Sequence, residues 1–229
     1  MNYAIILAAG KSRRFESSIN KLLTQVHGEP MIAHTIACFD ECALIDEIII
    51  ATRIDDKPYV LALLSQKKYL KKIEIVEGGT RRSDSVWNGL QSIKSIRDAD
   101  VVCIHDGARC LITKELVEQS ILDCGKYGSS VLAIPVTDTL KEVSENYCVL
   151  KTHPRDHIWR MQTPQTFKTK LIYNAYAAGI AENFEGTDDA SFMERLSQSV
   201  HVTLGSEENM KVTTASDLKI AEAILAKRK

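Results

Sequence analysis

The stretch whose reading decides the fold is YAIILAAGKSRRFESSINKLL, residues 3–23. Its first five residues are apolar throughout. A strand with one wet face alternates polar and apolar residues, whereas an unbroken short run belongs to a strand covered on both faces, as in a parallel sheet. The run stops at Ala8, Ala9 and Gly10, and Lys11, Arg13, Arg14 and Lys21 follow. A basic segment just past a buried strand reads two ways: as a solvated loop, or as the floor of a phosphate site.

Working outward, the same rhythm repeats. Strand-like runs at 45–52, 73–76, 100–105 and 130–136 alternate with helical patterns at 31–39, 59–69, 85–96 and 114–124. Short β-branched runs separated by amphipathic helices imply crossover units and a mostly parallel sheet. After Pro135 the rhythm breaks. Two strand-like pieces, 140–143 and 148–152, flank a polar turn at 144–146, so residues 137–159 read as a hairpin. That hairpin is either a local extension of the sheet or an arm that reaches a neighbouring subunit. Helices resume at 170–181 and 189–196, a strand follows at 200–204, and a last helix covers 215–227. The whole, 1–229, reads as a single α/β domain with a hairpin excursion.

Composition narrows the function classes. Lys and Arg (29) nearly balance Asp and Glu (30), for a net charge of −1. No whole-surface attraction for nucleic acid or anionic membrane follows, so any basic function is local. No apolar stretch approaches the ~20 residues of a membrane span, and the N-terminal segment lacks the basic leader of a signal peptide. The six cysteines contain no CxxC pair and fit unpaired thiols in a reducing cytoplasm. The histidines form no HExxH, and neither GxSxG, GxxxxGK[ST] nor GxGxxG occurs.

In open parallel sheets, ligands sit beyond the carboxyl ends of the strands. Four candidate loops occupy such positions: Ala8-Ala9-Gly10 with the basic segment; Gly78-Gly79-Thr80-Arg81-Arg82-Ser83-Asp84-Ser85; His105-Asp106-Gly107-Ala108-Arg109; and Thr137-Asp138-Thr139. Small residues in the first loop let a ligand approach the backbone. Ser83 or Asp84 reads as a helix N-cap, and Ser85 as either part of that cap or a hydroxyl offered to a base or sugar. Asp106 is placed to hold Mg²⁺ or a ribose hydroxyl, or to pair with Arg109. Further on, Arg155, Thr163, Thr187-Asp188-Asp189 and Lys211 stand out. Thr187 or Asp188 reads as a helix N-cap, and Lys211, with apolar neighbours, either snorkels to solvent or aims at an anion.

With these residues in view, the chain resembles the 2-C-methyl-D-erythritol 4-phosphate cytidylyltransferases of the non-mevalonate isoprenoid route. The carriers are LAAGKSRRF, NKLL, GGTRRSDSV, HDGAR, PVTDTLK, QTPQTF, GTDDASFMER and NMKVTTASDL, spread over nearly the whole chain. The resemblance implies a Rossmann-like nucleotidyltransferase with a protruding β-hairpin arm, acting as a homodimer in which each arm helps complete the neighbour's site. It implies that Ala8, Ala9 and Gly10 line a CTP site with Arg14 and Lys21 on its phosphates. Gly79, Thr80 and Ser85 would read cytosine, and Asp106 and Gly107 would face the ribose and Mg²⁺. Thr139 and Arg155 from the partner's arm, with Thr163, would grip the sugar-alcohol phosphate, and Lys211 would bridge both phosphates.

The implied reaction is in-line attack of the substrate phosphate on the CTP α-phosphorus. This sequence departs from the family pattern at Cys110, where a proline usually follows HDGAR; at Ser12, usually glycine; and at Phe15, usually methionine. Two other functions compete: a ribitol 5-phosphate cytidylyltransferase on the same scaffold, and a non-catalytic nucleotide-binding module.

Overall fold

The structure, a computed structural model, describes residues 1–10 and 20–228; Arg14, with Lys11, Ser12, Arg13 and Phe15, lies outside the described residues. In chain order the first half runs β1 (Asn2–Ala8), a 3-10 turn (Lys21–Leu23), β2 (Gln25–Val26), β3 (Glu29–Pro30), α1 (Met31–Glu41), β4 (Glu47–Thr52), α2 (Lys57–Ser65), β5 (Lys72–Glu77) and α3 (Arg82–Ser92). The second half runs β6 (Val101–Asp106), α4 (Lys114–Tyr127), β7 (Ser129–Pro135), β8 (Leu140–Val143), β9 (Val149–His153), β10 (Trp159–Lys168), α5 (Thr169–Ala181), α6 (Asp189–Arg195), β11 (Val202–Leu204) and α7 (Ala215–Lys227).

The described residues build a seven-stranded sheet in the order β11-β7-β10-β6-β1-β4-β5. β1 pairs in parallel with both β4 and β6, β4 with β5, and β11 with β7. The unbroken apolar run of β1 is explained by its two faces. Ala4, Ile6 and Ala8 join a buried cluster with α1, α4 and α7, while Tyr3 and Ile5 join another with α3, α5 and α6. Alternate side chains of a strand point to opposite faces, so a sheet buried on both sides needs apolar residues at every position.

The expected helices and strands are present, with ends shifted by a few residues. The hairpin is there too: β8 and β9 pair antiparallel with each other, apart from the main sheet, and are exposed along nearly their whole length. Two features were not expected. A tiny hairpin, β2–β3, turns at His27 and Gly28, whose φ values of 49° and 84° suit a two-residue turn with both central residues left-handed. More consequential is β10, a central strand that runs antiparallel between β6 and β7.

Its sequence, WRMQTPQTFK, does not read as a central strand. It contains a proline, which cannot donate to a ladder, and it buries Gln162, Thr163, Gln165 and Thr166. The proline falls where the pairing register with β7 shifts, between Met161 and Gln165. The buried polar side chains are hydrogen-bonded. Thr166 Oγ1 meets Ser120 Oγ at 3.0 Å, and Gln165 Oε1 accepts from the backbone N–H groups of Asp189 and Ala190, both at 2.9 Å. β10 therefore fixes the position of α6 through polar contacts.

Candidate active site

β1, β4, β5 and β6 are mutually parallel, so their carboxyl ends open on one edge, and their loops touch. Gly78 N–H donates to Thr52 O (2.7 Å) and Gly107 N–H to Leu7 O (3.0 Å). A Cβ on Gly78 would lie 2.2 Å from Ala9 Cβ, one on Gly79 2.2 Å from Asp84 Cβ, and one on Gly107 2.8 Å from Leu7 O. The small residues here thus let one loop lie on the next, before any ligand is considered. Ala8 is buried, Ala9 half-buried, and Gly10 exposed at the rim.

The loop into α3 is held from within. Ser85 Oγ accepts from Gly79 N–H (3.0 Å) and lies 3.2 Å from Arg81 O, which it donates to. Neither Ser83 nor Asp84 is the cap. Arg81 occupies that position, and Asp84, three residues on, accepts from its backbone N–H at 3.0 Å. Thr80 is exposed at the loop's tip. At the start of α6, Asp188 is the N-cap and accepts from Ser191 N–H at 3.0 Å.

Lys21 is positioned by its neighbour. Asn20 donates to Ala8 O (3.2 Å) and to the buried Asp56 carboxylate (2.7 Å), which Arg53 also grips at 2.8 Å. Lys21 Nζ then donates to Val212 O at 2.8 Å, beside Lys211. The Lys211 segment is stitched to the β6 loop by Val212 N–H to Ala108 O (2.8 Å) and by Arg109 Nη1 to Asn209 O (2.8 Å).

Asp106, at the tip of β6, is the centre. Lys211 Nζ lies 2.7 Å from its Oδ2, and Arg82 Nε donates to its Oδ1 at 3.1 Å. The alternative pairing with Arg109 gives way to these two, Arg109 turning to the carbonyl of Asn209. Burial pushes the Asp106 carboxyl up, but the charges of Arg82 and then Lys211 outweigh it and hold it well below the usual range. Arg82 in turn makes a fork to the fully buried Asp189, at 2.9 and 2.7 Å.

Behind Asp106 the proton positions follow from donor and acceptor inventory. Arg109 O can only accept, so His105 Nε2 carries the hydrogen (3.2 Å), and Nδ1 accepts from Thr163 Oγ1 (3.0 Å). Thr163 Oγ1 in turn accepts from Asp106 N–H at 3.0 Å. Burial pushes the His105 imidazole down to about 3, so it is neutral. Thr163, expected on a substrate phosphate, has its hydroxyl hydrogen committed to His105 and contributes the placement of Asp106. Cys110, in the family's proline position, is buried with its thiol pushed up to about 11. The turn it follows is closed by Arg109 N–H to Asp106 O at 2.9 Å.

Thr139 and Arg155 are exposed, at the base of the hairpin. Arg155 donates to Thr137 O, and among the described residues neither is hydrogen-bonded to the Asp106 cluster. Arg82 and Asp189, half of the residues in this ionic network, stood in candidate segments of the sequence but were given no role in the site. Their only signal was a second arginine in GGTRRSDS and a second aspartate in GTDDAS. Among the described residues no cluster of three or more His, Cys, Asp or Glu is placed to hold a metal ion. No helix among them is long and apolar enough to cross a membrane.

A mostly parallel sheet whose carboxyl edge gathers touching small-residue loops around a carboxylate bracketed by cations defines a Rossmann-like nucleotidyltransferase. The IspD family model, described as 2-C-methyl-D-erythritol 4-phosphate cytidylyltransferase, matches residues 2–227. A relative of that name from Alkaliphilus oremlandii is 41% identical over 226 residues, covering 98% of this chain and 95% of the relative. The crystal structure of 4-diphosphocytidyl-2C-methyl-D-erythritol synthase from Anaerococcus prevotii superposes with a TM-score of 0.86 at 30% identity, covering 98% and 96% of the two chains. The Thermus thermophilus enzyme gives 0.79 at 27% identity, covering 97% and 98%. The chain belongs to the 2-C-methyl-D-erythritol 4-phosphate cytidylyltransferase family.

Proposed function

We propose that the protein transfers CMP from CTP to 2-C-methyl-D-erythritol 4-phosphate, giving 4-diphosphocytidyl-2-C-methyl-D-erythritol and pyrophosphate. The observation that carries the mechanism is Asp106 bracketed by Lys211 and Arg82, with Lys21 anchored beside Lys211 on the edge where the glycine loops meet. A phosphate oxygen of the acceptor forms a bond to the α-phosphorus. The bond from that phosphorus to the bridging oxygen breaks, and pyrophosphate leaves with the electron pair. A phosphate monoester, with a second pKa of about 6, is already an anionic nucleophile near neutral pH, so no strong general base is needed. The obstacle is the meeting of anions. Lys21 and Arg14 neutralise the triphosphate, and Lys211 spans the acceptor phosphate and the α-phosphate.

Ala8, Ala9, Gly10, Gly79, Thr80 and Ser85 form the nucleotide site, with Asp106 and Gly107 at the ribose. A divalent metal such as Mg²⁺ is usually held by one or two carboxylates together with substrate phosphates. Asp106 is the carboxylate at the centre of the described site and would hold the ion once Lys211 turns to the phosphates. Bound there, the metal supplies positive charge to the phosphoryl oxygens.

The exposed hairpin supports a homodimer, and the cytoplasm is the proposed location. Val143, Tyr147, Val149 and Leu150 are exposed on it, and Thr139 and Arg155 at its base would reach the partner's acceptor phosphate. Arg155→Ala should then raise KM for the acceptor while leaving KM for CTP, and sedimentation should report a dimer. A monomeric, fully active enzyme overturns this arm role. The test of the activity is pyrophosphate release with CTP, ATP, GTP and UTP against methylerythritol phosphate and ribitol 5-phosphate. Preference for ribitol 5-phosphate overturns the acceptor, and no release with either acceptor overturns the enzyme reading.

A further inference from the structure

We infer that Arg82 is a positioning residue for the transfer reaction: clamped on Asp189, its guanidinium holds one oxygen of Asp106 so that the other faces Lys211 and the reacting phosphates. This rests on the roles given above to Asp106 and Lys211.

Arg82 opens α3, directly after the loop that touches Ala9. Its side chain uses its donors on two carboxylates, one at the tip of β6 and one on α6. Nη1 and Nη2 take Asp189 Oδ1 and Oδ2 at 2.9 and 2.7 Å, and Nε takes Asp106 Oδ1 at 3.1 Å. Asp189 cannot shift to follow. Its side chain is fully buried, Tyr176 OH donates to its Oδ1 at 2.6 Å, and its backbone N–H is held by Gln165 at 2.9 Å. The guanidinium is thus a rigid strut between the floor of the fold and the centre of the site.

The division of charge explains why the strut matters. Arg82 and Lys211 together face Asp106 and Asp189, two cations for two carboxylates. Lys211 is the cation that engages phosphates, so its ion pair with Asp106 must loosen when substrates bind. Arg82 is the contact that keeps Asp106 charged and oriented while that happens. A planar fork with fixed donors on three nitrogens suits this position, and an ammonium, with all its donors on one nitrogen, lacks that spread.

The test is a double-mutant cycle in kcat with Arg82→Lys and Asp106→Asn, melting curves beside it, and Asp189→Asn as a second way to loosen the strut. Arg82→Lys should lower kcat by about 10- to 100-fold, the scale of a misplaced reacting group, with KM for CTP changed less than about threefold. The same substitution in the Asp106→Asn background should cost less than about twofold, because the carboxylate it positions is gone. Asp189→Asn should show the same disappearance of its effect, and it decides the matter if Arg82→Lys does not fold. Effects that multiply in full in the Asp106→Asn background make Arg82 merely structural and overturn the proposal. Wild-type kcat in Arg82→Lys beside an impaired Asp106→Asn overturns this proposal alone. Wild-type kcat in Asp106→Asn by itself overturns the role given to Asp106, and this proposal with it.

Discussion

Replacing Lys211 by methionine should separate turnover from stability. Nζ lies 2.7 Å from Asp106 Oδ2, but the lysine side chain is 43% exposed, so solvent screens the pair. Such exposed pairs contribute about 0–1 kcal/mol. Asp106 keeps Arg82 Nε at 3.1 Å when Lys211 is gone, so it retains a direct cationic partner, but Arg82 then serves Asp106 and Asp189 alone. Methionine retains the apolar stem. The expected loss is therefore about 1–2 kcal/mol, or a fall in Tm of about 2–8 °C for a chain of this size. In the proposed transfer step the same ammonium spans the acceptor phosphate and the α-phosphate, where charge shifts as the bond to pyrophosphate breaks. Losing one preorganised donor of that kind costs about 10²–10³ in kcat, roughly 2.7–4 kcal/mol. Continuous pyrophosphate release at saturating CTP and acceptor reads the first effect, and thermal melting by circular dichroism reads the second. A kcat within about threefold of wild type, under 1 kcal/mol, removes Lys211 from the chemistry. A fall in Tm beyond about 10 °C makes its role structural instead.

Three further perturbations address the scaffold. Gly78→Ala puts a methyl 2.2 Å from Ala9 Cβ; overpacking should destabilise by about 1–3 kcal/mol and weaken CTP binding in calorimetry, whereas unchanged CTP affinity would mean the β1 and β5 loops do not shape the nucleotide site. Asp56→Ala leaves Asn20 and Arg53 without their shared partner; the expected loss is about 1–3 kcal/mol in urea unfolding with a raised KM for CTP, and an unchanged KM would detach this contact from Lys21. His105, neutral and buried with its pKa lowered to about 3 from 6.5, gains a proton only on unfolding as pH falls below 6.5. Its stability contribution is full above 6.5 and is lost progressively down to about 3, so from pH 7 to pH 5 the wild type should lose roughly 2 kcal/mol more than His105→Gln. Equal losses in urea titrations at the two pH values would contradict a neutral His105.

The division between sequence and structure runs along the kind of force involved. The alternating parallel architecture, the paired strands of the exposed hairpin and the family were legible, because periodic burial leaves a periodic pattern. YAIIL is apolar at every position since β1 has a buried cluster on each face. The loops carrying Ala9, Gly79, Asp106 and Lys211 were legible as candidates, since ligand sites follow strand ends. β10 was not legible. Its stability in the sheet comes from hydrogen bonds made by Gln162, Thr163, Gln165 and Thr166 to residues far along the chain, and a polar stretch with a proline carries no hydropathy signal for that.

By itself, the sequence determined which residue types stand at the carboxyl ends of the strands, and hence that anionic ligands belong there. Only the tertiary structure decided how those residues are bound to one another. Asp106 pairs with Arg82 and Lys211 in place of the nearby Arg109, and Thr163 accepts directly from the backbone N–H of Asp106 while donating to His105. Partners 24, 57 and 107 residues apart meet because the sheet and the helices packed on it bring them together. Charge pairing depends on distance in space, for which sequence separation holds no measure.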